Sequence, residues 1–309
     1  MSDKKFLIEG FVPAVVTPFN EAGDMMTDQL AQIIEWHLGE GADAICIAGD
    51  NGEAWALTPD DRKQLAETTV ETVAGRVPVL MGASAPTARQ TIAAAEIAAQ
   101  AGCAALMTGP QAYVGKSTTA EMADRFKALN KAVPLPIVAY NSPRRTGLNM
   151  DPDMLGAVCD VAPIIGLKEA SRDVFHITEI IKRFSDRLAF LVGPCPFILQ
   201  ALAFGARGFI SSGPELLGPG VAASLRAVAM EKPSAKTRDL HFALTDIYAF
   251  LMGTGTWPAA LKAGLNMIGV PAGVPREPVQ PLSPKDAEKL KALLENLGAL
   301  PTAQAQAGE

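Results

Sequence analysis

Eight short apolar runs, each followed by a segment of helical length, occupy residues 11 to about 211 and constrain the fold more than any other feature. The runs are "FVPAVVT" (11–17), "DAICIAG" (43–49), "VPVLMGA" (77–83), "AALMTG" (104–109), "PIVAY" (136–140), "IIGLK" (164–168), "LAFLVG" (188–193) and "RGFIS" (207–211). Hairpin strands need only a short turn between them, whereas parallel strands need a long crossover, so this spacing predicts parallel β/α units. The intervening "TDQLAQIIEWHLGE", "TPDDRKQLAETTVETVAG", "TARQTIAAAEIAAQAG" and "TTAEMADRFKALNKA" carry apolar residues at helical spacing. Thr58 with Pro59 behind it, and Thr87, read as helix starts, and Gly75 and Gly102 as stops.

Eight such units can close into a barrel, whereas an open doubly wound sheet more often has fewer strands. No GxGxxG turn follows the first run, which weakens a dinucleotide-binding reading further. The predicted class is α/β, a (β/α)8 TIM barrel over 1–212 carrying the catalytic site. Beyond it the pattern turns helical, near 215–230, 234–252, 256–268 and 283–297, and predicts a C-terminal helical appendage over 213–300 packed on the barrel. Residues 301–309 read as a flexible tail.

Composition narrows the function. The 49% hydrophobic content supports a large core and excludes a disordered chain. A net charge of −6, with both signs mixed along the chain and no basic stripe, argues against a nucleic-acid surface and for a small-molecule partner. Cys46, Cys103, Cys159 and Cys195 are scattered, with no CxxC pair, and read as reduced core or loop residues. No run approaches bilayer length, and "MSDKKFLIEG" lacks the apolar stretch of a secretory signal, so a soluble cytoplasmic protein is expected. His37, His176 and His241 lie apart in helical segments without an HxH or HExxH pairing, which predicts surface or packing roles, no metal site and no cofactor.

In a barrel of this kind the active site is built at the C-terminal ends of the strands. Lys168 ends the sixth run, flanked by "IIGL". An apolar barrel mouth disfavours an ammonium group, and a neutral amine is a nucleophile toward ketones; the chemistry suggested is a Schiff base with a carbonyl substrate. A structural ion pair with Glu169 or Glu53 explains the same lysine equally well. Tyr140 ends the neighbouring run and could shuttle protons at the same centre. "GDNGE" (49–53) offers a turn in which Gly49 and Gly52 expose backbone N–H groups to a carboxylate, with Asn51 as a further donor; an ordinary loop is the competing reading. Arg145, with Arg144 as competitor, is placed to pair with a substrate carboxylate. "SSGPELLGPG" (211–220) reads better as a loop leading into a helix than as a phosphate cradle.

Taken together these residues resemble the Schiff-base lyases typified by dihydrodipicolinate synthase and N-acetylneuraminate lyase, over essentially the whole chain. The resemblance rests on a Gly-x-x-Gly-Glu turn (Gly49 to Glu53), a Tyr-Asn-x-Pro segment (Tyr140 to Pro143) and a Gly-x-Lys setting (Gly166 to Lys168). It implies that Lys168 forms the imine, that Tyr140 shuttles protons, and that the turn at Asp50, Asn51 and Gly52 holds the carboxylate of a pyruvate-type substrate beside Gly193 and Ile210. Homo-oligomers, tetramers or dimers, are implied too, with an aromatic residue crossing the interface. Tyr113 fills that role only with one residue inserted, and Asp50 replaces a hydroxyl residue of the proton relay. These departures favour aldol cleavage or condensation with pyruvate, or dehydration or deamination of a longer 2-oxo acid or cyclic imino acid, such as a deoxy sugar acid or a hydroxyproline breakdown product, over 4-hydroxy-tetrahydrodipicolinate synthase activity. A catalytically silent binding barrel is the non-enzyme alternative, which imine trapping would separate.

Overall fold

The computed structural model describes residues 8–300; the expected tail 301–309 lies outside them. Eight parallel strands form one sheet: β1 (Gly10–Phe11), β2 (Ile45–Ile47), β3 (Val79–Gly82), β4 (Ala105–Thr108), β5 (Ile137–Asn141), β6 (Ile164–Glu169), β7 (Ala189–Val192) and β8 (Gly208–Phe209). From β2 to β8 each strand pairs with the next in sequence, and β1 pairs with β8. A parallel bridge between Ala14 and Cys46, with Val15 N–H donating to the Cys46 carbonyl at 2.8 Å, closes the sheet on its remaining side. The result is the (β/α)8 barrel that the spacing predicts.

The first strand is shorter than the apolar run suggests. Pro13 has no N–H for the ladder, so regular pairing stops at Phe11, and the Pro13 carbonyl joins the Val15 N–H in reaching β2, accepting from Cys46 N–H at 3.0 Å. The helix starts follow the predicted chemistry: Thr58 and Thr87 cap reciprocally with Asp61 and Gln90. One stop shifts. Ala74 rather than Gly75 is the left-handed cap of the second helix, with φ 49°, whereas Gly102 caps the third as expected.

Two apolar layers result from the strand period of two. Val12, Cys46, Leu80, Met107, Val138 and Leu191 fill the barrel interior, while residues such as Ile47, Met81, Leu106, Ala139 and Leu167 pack outward against the helices. After β8 the chain runs through helices Val221–Met230, Ala235–Gly253, Ala259–Met267 and Pro284–Asn296. Ile247 and Leu251 of the second of these are buried. Among the described residues no helix is long and apolar enough to cross a membrane.

Candidate active site

Two consecutive register pairs at the ends of β5 and β6 organise the site: Tyr140 stands opposite Lys168, and Asn141 opposite Glu169. Because side chains alternate along a strand, one pair faces the lumen and the next faces the surrounding helices. On the lumen side Lys168 is 6% exposed, with Nζ 4.8 Å from the centroid of the Tyr140 ring. Tyr140 packs against the interior apolar layer. Beneath them, burial pushes the Cys46 thiol up to about 11, against the opposing pull of the Lys168 charge.

Above this pair opens a cleft with about 470 Å³ of empty space. Asp50, Asn51, Tyr140, Lys168, Gly193 and Ile210, all named from the sequence, line it. Asn51 is held from below, its Nδ2 donating to the Ala14 carbonyl at 2.7 Å and to Ser212 Oγ at 2.5 Å. Gly52 serves the turn rather than the cleft wall. A Cβ there would lie 3.0 Å from the Val15 carbonyl oxygen and 3.2 Å from Thr17 Oγ1, and Thr17 Oγ1 donates to the Gly52 carbonyl. Gly193 is also a close approach, since a Cβ would fall 2.9 Å from the Glu169 carbonyl oxygen.

Arg145 is engaged elsewhere than the sequence suggests. Its Nε and Nη2 both reach Asp50 Oδ2, at 2.8 and 2.6 Å, and it does not line the cleft; Arg144 does, with Nη2 4.0 Å from the same oxygen. The carboxylate at position 50 therefore stands between two guanidinium groups. Tyr113, on the loop after β4 with φ 77°, is 98% exposed and away from the cleft of its own chain.

Neither glutamate offered as a partner for Lys168 takes it. Glu53, fully buried at φ 53°, pairs with Lys262 Nζ at 2.5 Å and accepts from Arg276 N–H at 2.8 Å. Lys262 also donates to the Thr17 and Val274 carbonyls at 2.7 Å, so a C-terminal helix is tied to the base of the β2 turn. Glu169, on the opposite face from Lys168, accepts from Asn141 Nδ2 at 2.8 Å and Ser171 N–H at 2.5 Å, and its Oε2 lies 3.3 Å from His176 Nε2. His176 is thus no plain surface or packing residue. Burial alone would lower its pKa, but the hydrogen bond and charge of Glu169, with Asp173 and Asp151 behind, raise it.

Several lining residues carry no role in the sequence reading, which marks Ser211 only as the end of the eighth run. Ser211 is buried at the end of β8, and its Oγ has no hydrogen-bond partner among the described residues. Tyr248, Met252 and Trp257 come from the C-terminal helical segment and its following turn, and Arg172 from the loop after β6. Arg172 could have been noticed, because it follows Lys168 by the same four positions that separate Arg144 from Tyr140. Nothing in the pattern around Tyr248 marks it.

With this geometry in view, the comparisons with known proteins agree on one family. The model of the dihydrodipicolinate synthetase family matches residues 7–297. A 4-hydroxy-tetrahydrodipicolinate synthase of Thermoanaerobacter sp. (strain X514) is 32% identical over 295 residues, covering 95% of this chain and 98% of its own length. Among solved structures, dihydrodipicolinate synthase from Aquifex aeolicus superposes with a TM-score of 0.88 at 27% identity, over 96% of this chain and 100% of that one. The chloride-inhibited synthase from Acinetobacter baumannii, solved with pyruvate, gives 0.88 at 26% identity, over 95% and 100%. The chain belongs to the dihydrodipicolinate synthetase family, and so to the imine-forming lyases of the class I aldolase type.

Proposed function

We propose that the protein is a lyase that joins or splits a pyruvate-type 2-oxo acid through an imine on Lys168. The observation that carries this is the register pairing of Lys168 with Tyr140 at the floor of the cleft. Once it has given up its proton, the Lys168 amine attacks the ketone carbon, and the carbinolamine loses water as Tyr140 delivers a proton to the departing oxygen. The iminium so formed withdraws electrons from the adjacent carbon. Loss of a proton there gives an enamine that adds to an aldehyde, and the reverse sequence cleaves the same bond. Hydrolysis of the iminium returns the amine.

Backbone N–H groups of the turn at Asp50 and Asn51, with the unpartnered Ser211 hydroxyl, are suited to the substrate carboxylate. Gly193 and Ile210 bound the pocket beside it. Homo-oligomerisation belongs to the same proposal, with the exposed Tyr113 reaching a neighbouring copy.

A second reading, dehydration or deamination of a longer 2-oxo acid or cyclic imino acid, is favoured by the carboxyl group at position 50. Tethered by Arg145, Asp50 stands at the cleft wall where it could exchange a proton with a leaving hydroxyl or amine. The names of the curated relatives support condensation instead, so lysine-imine chemistry on pyruvate remains the principal reading.

Intact-protein mass spectrometry after borohydride reduction tests it. Pyruvate should leave an irreversible adduct on Lys168 that Lys168→Ala abolishes; label retained by that variant would sink the mechanism. With longer substrates, a pyruvate-sized adduct identifies carbon–carbon cleavage, and a full skeleton less water or ammonia identifies the second reading. No adduct from any of them would indicate a silent binding barrel.

A further inference from the structure

Arginine stands four positions beyond both Tyr140 and Lys168, at Arg144 and Arg172. Because Tyr140 and Lys168 are register partners on parallel neighbours, the two loops leave the barrel wall side by side. Both arginines line the cleft that has Lys168 at its floor. Their commitments within the chain are slight. Arg145, not Arg144, holds Asp50 closely, and the Arg144 guanidinium is 4.0 Å from that carboxylate.

Arg172 forms no ion pair among the described residues. Its Nε donates to Tyr248 Oη at 3.2 Å, and its guanidinium carbon lies 5.2 Å from the centroid of that ring. Since Tyr248 Oη is the acceptor there, its own proton remains available to a further acceptor. Arg172 is also held at φ 65°, a left-handed conformation that a residue with a side chain adopts at a cost. Such an outlier, kept by contacts at a cleft, is a pointer to function.

Charge completes the case. Two guanidinium groups, Arg144 and Arg172, line this cleft, and its one lining carboxylate, Asp50, is already paired with Arg145 from outside the lining, which leaves an excess of two positive charges (three minus one) in a chain whose net charge is −6. Burial first, then the charges of Arg145 and Arg172, work against the charged form of Arg144, while Asp50 supports it. A ligand carrying two carboxylates would balance that excess, whereas the carboxylate of pyruvate balances half of it.

We propose that Arg144, Arg172 and the Tyr248 hydroxyl form a subsite for the distal carboxylate of a dianionic 2-oxo acid, with the ketone end directed at Lys168. The inference rests on the imine reading for where the ketone lies. It assigns selectivity for the far end of the substrate to Arg144 and Arg172 rather than to Arg145, whose guanidinium is spent on Asp50.

Calorimetric titration of the full-length protein with 2-oxopentanedioate and 2-oxopentanoate, equal in carbon chain and different in one carboxylate, tests it. The dianion should bind at least about tenfold tighter, the scale of a charge-assisted hydrogen bond. In Arg144→Gln and in Arg172→Gln, each checked for folding by its thermal melt, that preference should shrink to within about threefold. Tyr248→Phe, which removes only the hydroxyl, should reduce it part of the way. Absence of the preference in the wild type, its survival in either arginine variant, or its loss in Arg145→Gln alone would overturn the proposal. A 2-oxo acid ending in a phosphate that bound tighter than the dicarboxylate would overturn the assignment to a carboxylate. The same titration in Lys168→Ala separates the two readings: the preference persists there if the subsite is right, whatever borohydride reports about the imine.

Discussion

Lys168 and Glu169 are consecutive in the chain and face opposite sides of the barrel wall, Lys168 toward the cleft and Glu169 toward the helices, where Asn141, Ser171 and His176 surround its carboxylate. Glu169 therefore clamps the end of β6 without touching the cleft that Lys168 enters. Glu169→Ala leaves the Asn141 amide and the His176 imidazole facing a buried gap. Removing one member of a buried, hydrogen-bonded charged set costs about 3–5 kcal/mol, which urea unfolding should report. Glu169→Gln, which keeps an acceptor toward Asn141, should cost less than half as much.

The His176 contribution has a defined pH direction. Its folded-state pKa is raised above the ordinary value of 6.5, so the stability it supplies is fully present below about 6.5 and is lost as pH rises through the higher folded-state value. Unfolding midpoints should therefore fall across this interval. His176→Gln should remove that part of the slope, and an unchanged slope would show that the histidine is not charged against Glu169.

Tyr140→Phe keeps the ring that packs on the interior layer and lies 4.8 Å from Lys168 Nζ, and deletes only the phenol oxygen. Turnover should drop by roughly two to four orders of magnitude, the usual loss for a general acid or base. Borohydride capture of pyruvate should slow yet still reach one equivalent, because the nucleophile remains. Capture at the wild-type rate would move the proton-shuttle role away from Tyr140.

Such local features are what the sequence exposes. A period of two locates Tyr140 and Lys168 at strand ends, and barrel closure turns strand ends into a site. The Asp50–Arg145 contact joins loops of different β/α units, and the Glu53–Lys262 pair joins the second strand's turn to a helix beyond the barrel. Periodicity tells which face a residue takes, but not which distant side chain meets it there. For that reason Arg145 reads as a free carboxylate clamp in the sequence, and His176 as a packing residue, when each already holds an acidic partner. The same limit hides the C-terminal contribution of Tyr248, Met252 and Trp257 to the cleft.

Lys262 and Glu53 make a buried pair that is costly to halve. Lys262→Met leaves Glu53 with the Arg276 N–H as its remaining close donor, and should destabilise the fold by about 3–5 kcal/mol. Pairing it with Glu53→Gln should cost less than the sum of the single changes, since the uncompensated charge is gone. Burial lowers the Lys262 pKa from 10.5 to about 8, with Glu53 opposing. The unfolded chain thus binds the extra proton between these values, and this site's contribution to stability rises as pH climbs from about 8 to 10.5. That rise should be absent from the double variant.

Glu215 gives the opposite slope. It is 6% exposed in the turn Pro214–Leu217, and burial raises its carboxyl pKa to about 7 despite the Gly213 N–H donating to it at 2.8 Å. A carboxyl group held protonated in the fold and ionised in the unfolded chain stabilises fully below its unfolded value of 4.5, and that stabilisation is lost as pH rises through about 7. The interval corresponds to about 3 kcal/mol. Urea midpoints of the wild type should accordingly fall between pH 5 and 8, and Glu215→Gln, which cannot ionise, should flatten the fall without altering the Tyr140–Lys168 register across β5 and β6. Were the variant to keep the full slope, the carboxyl would have to be ionised in the fold, and the Gly213 N–H would have to outweigh the burial that now keeps it neutral.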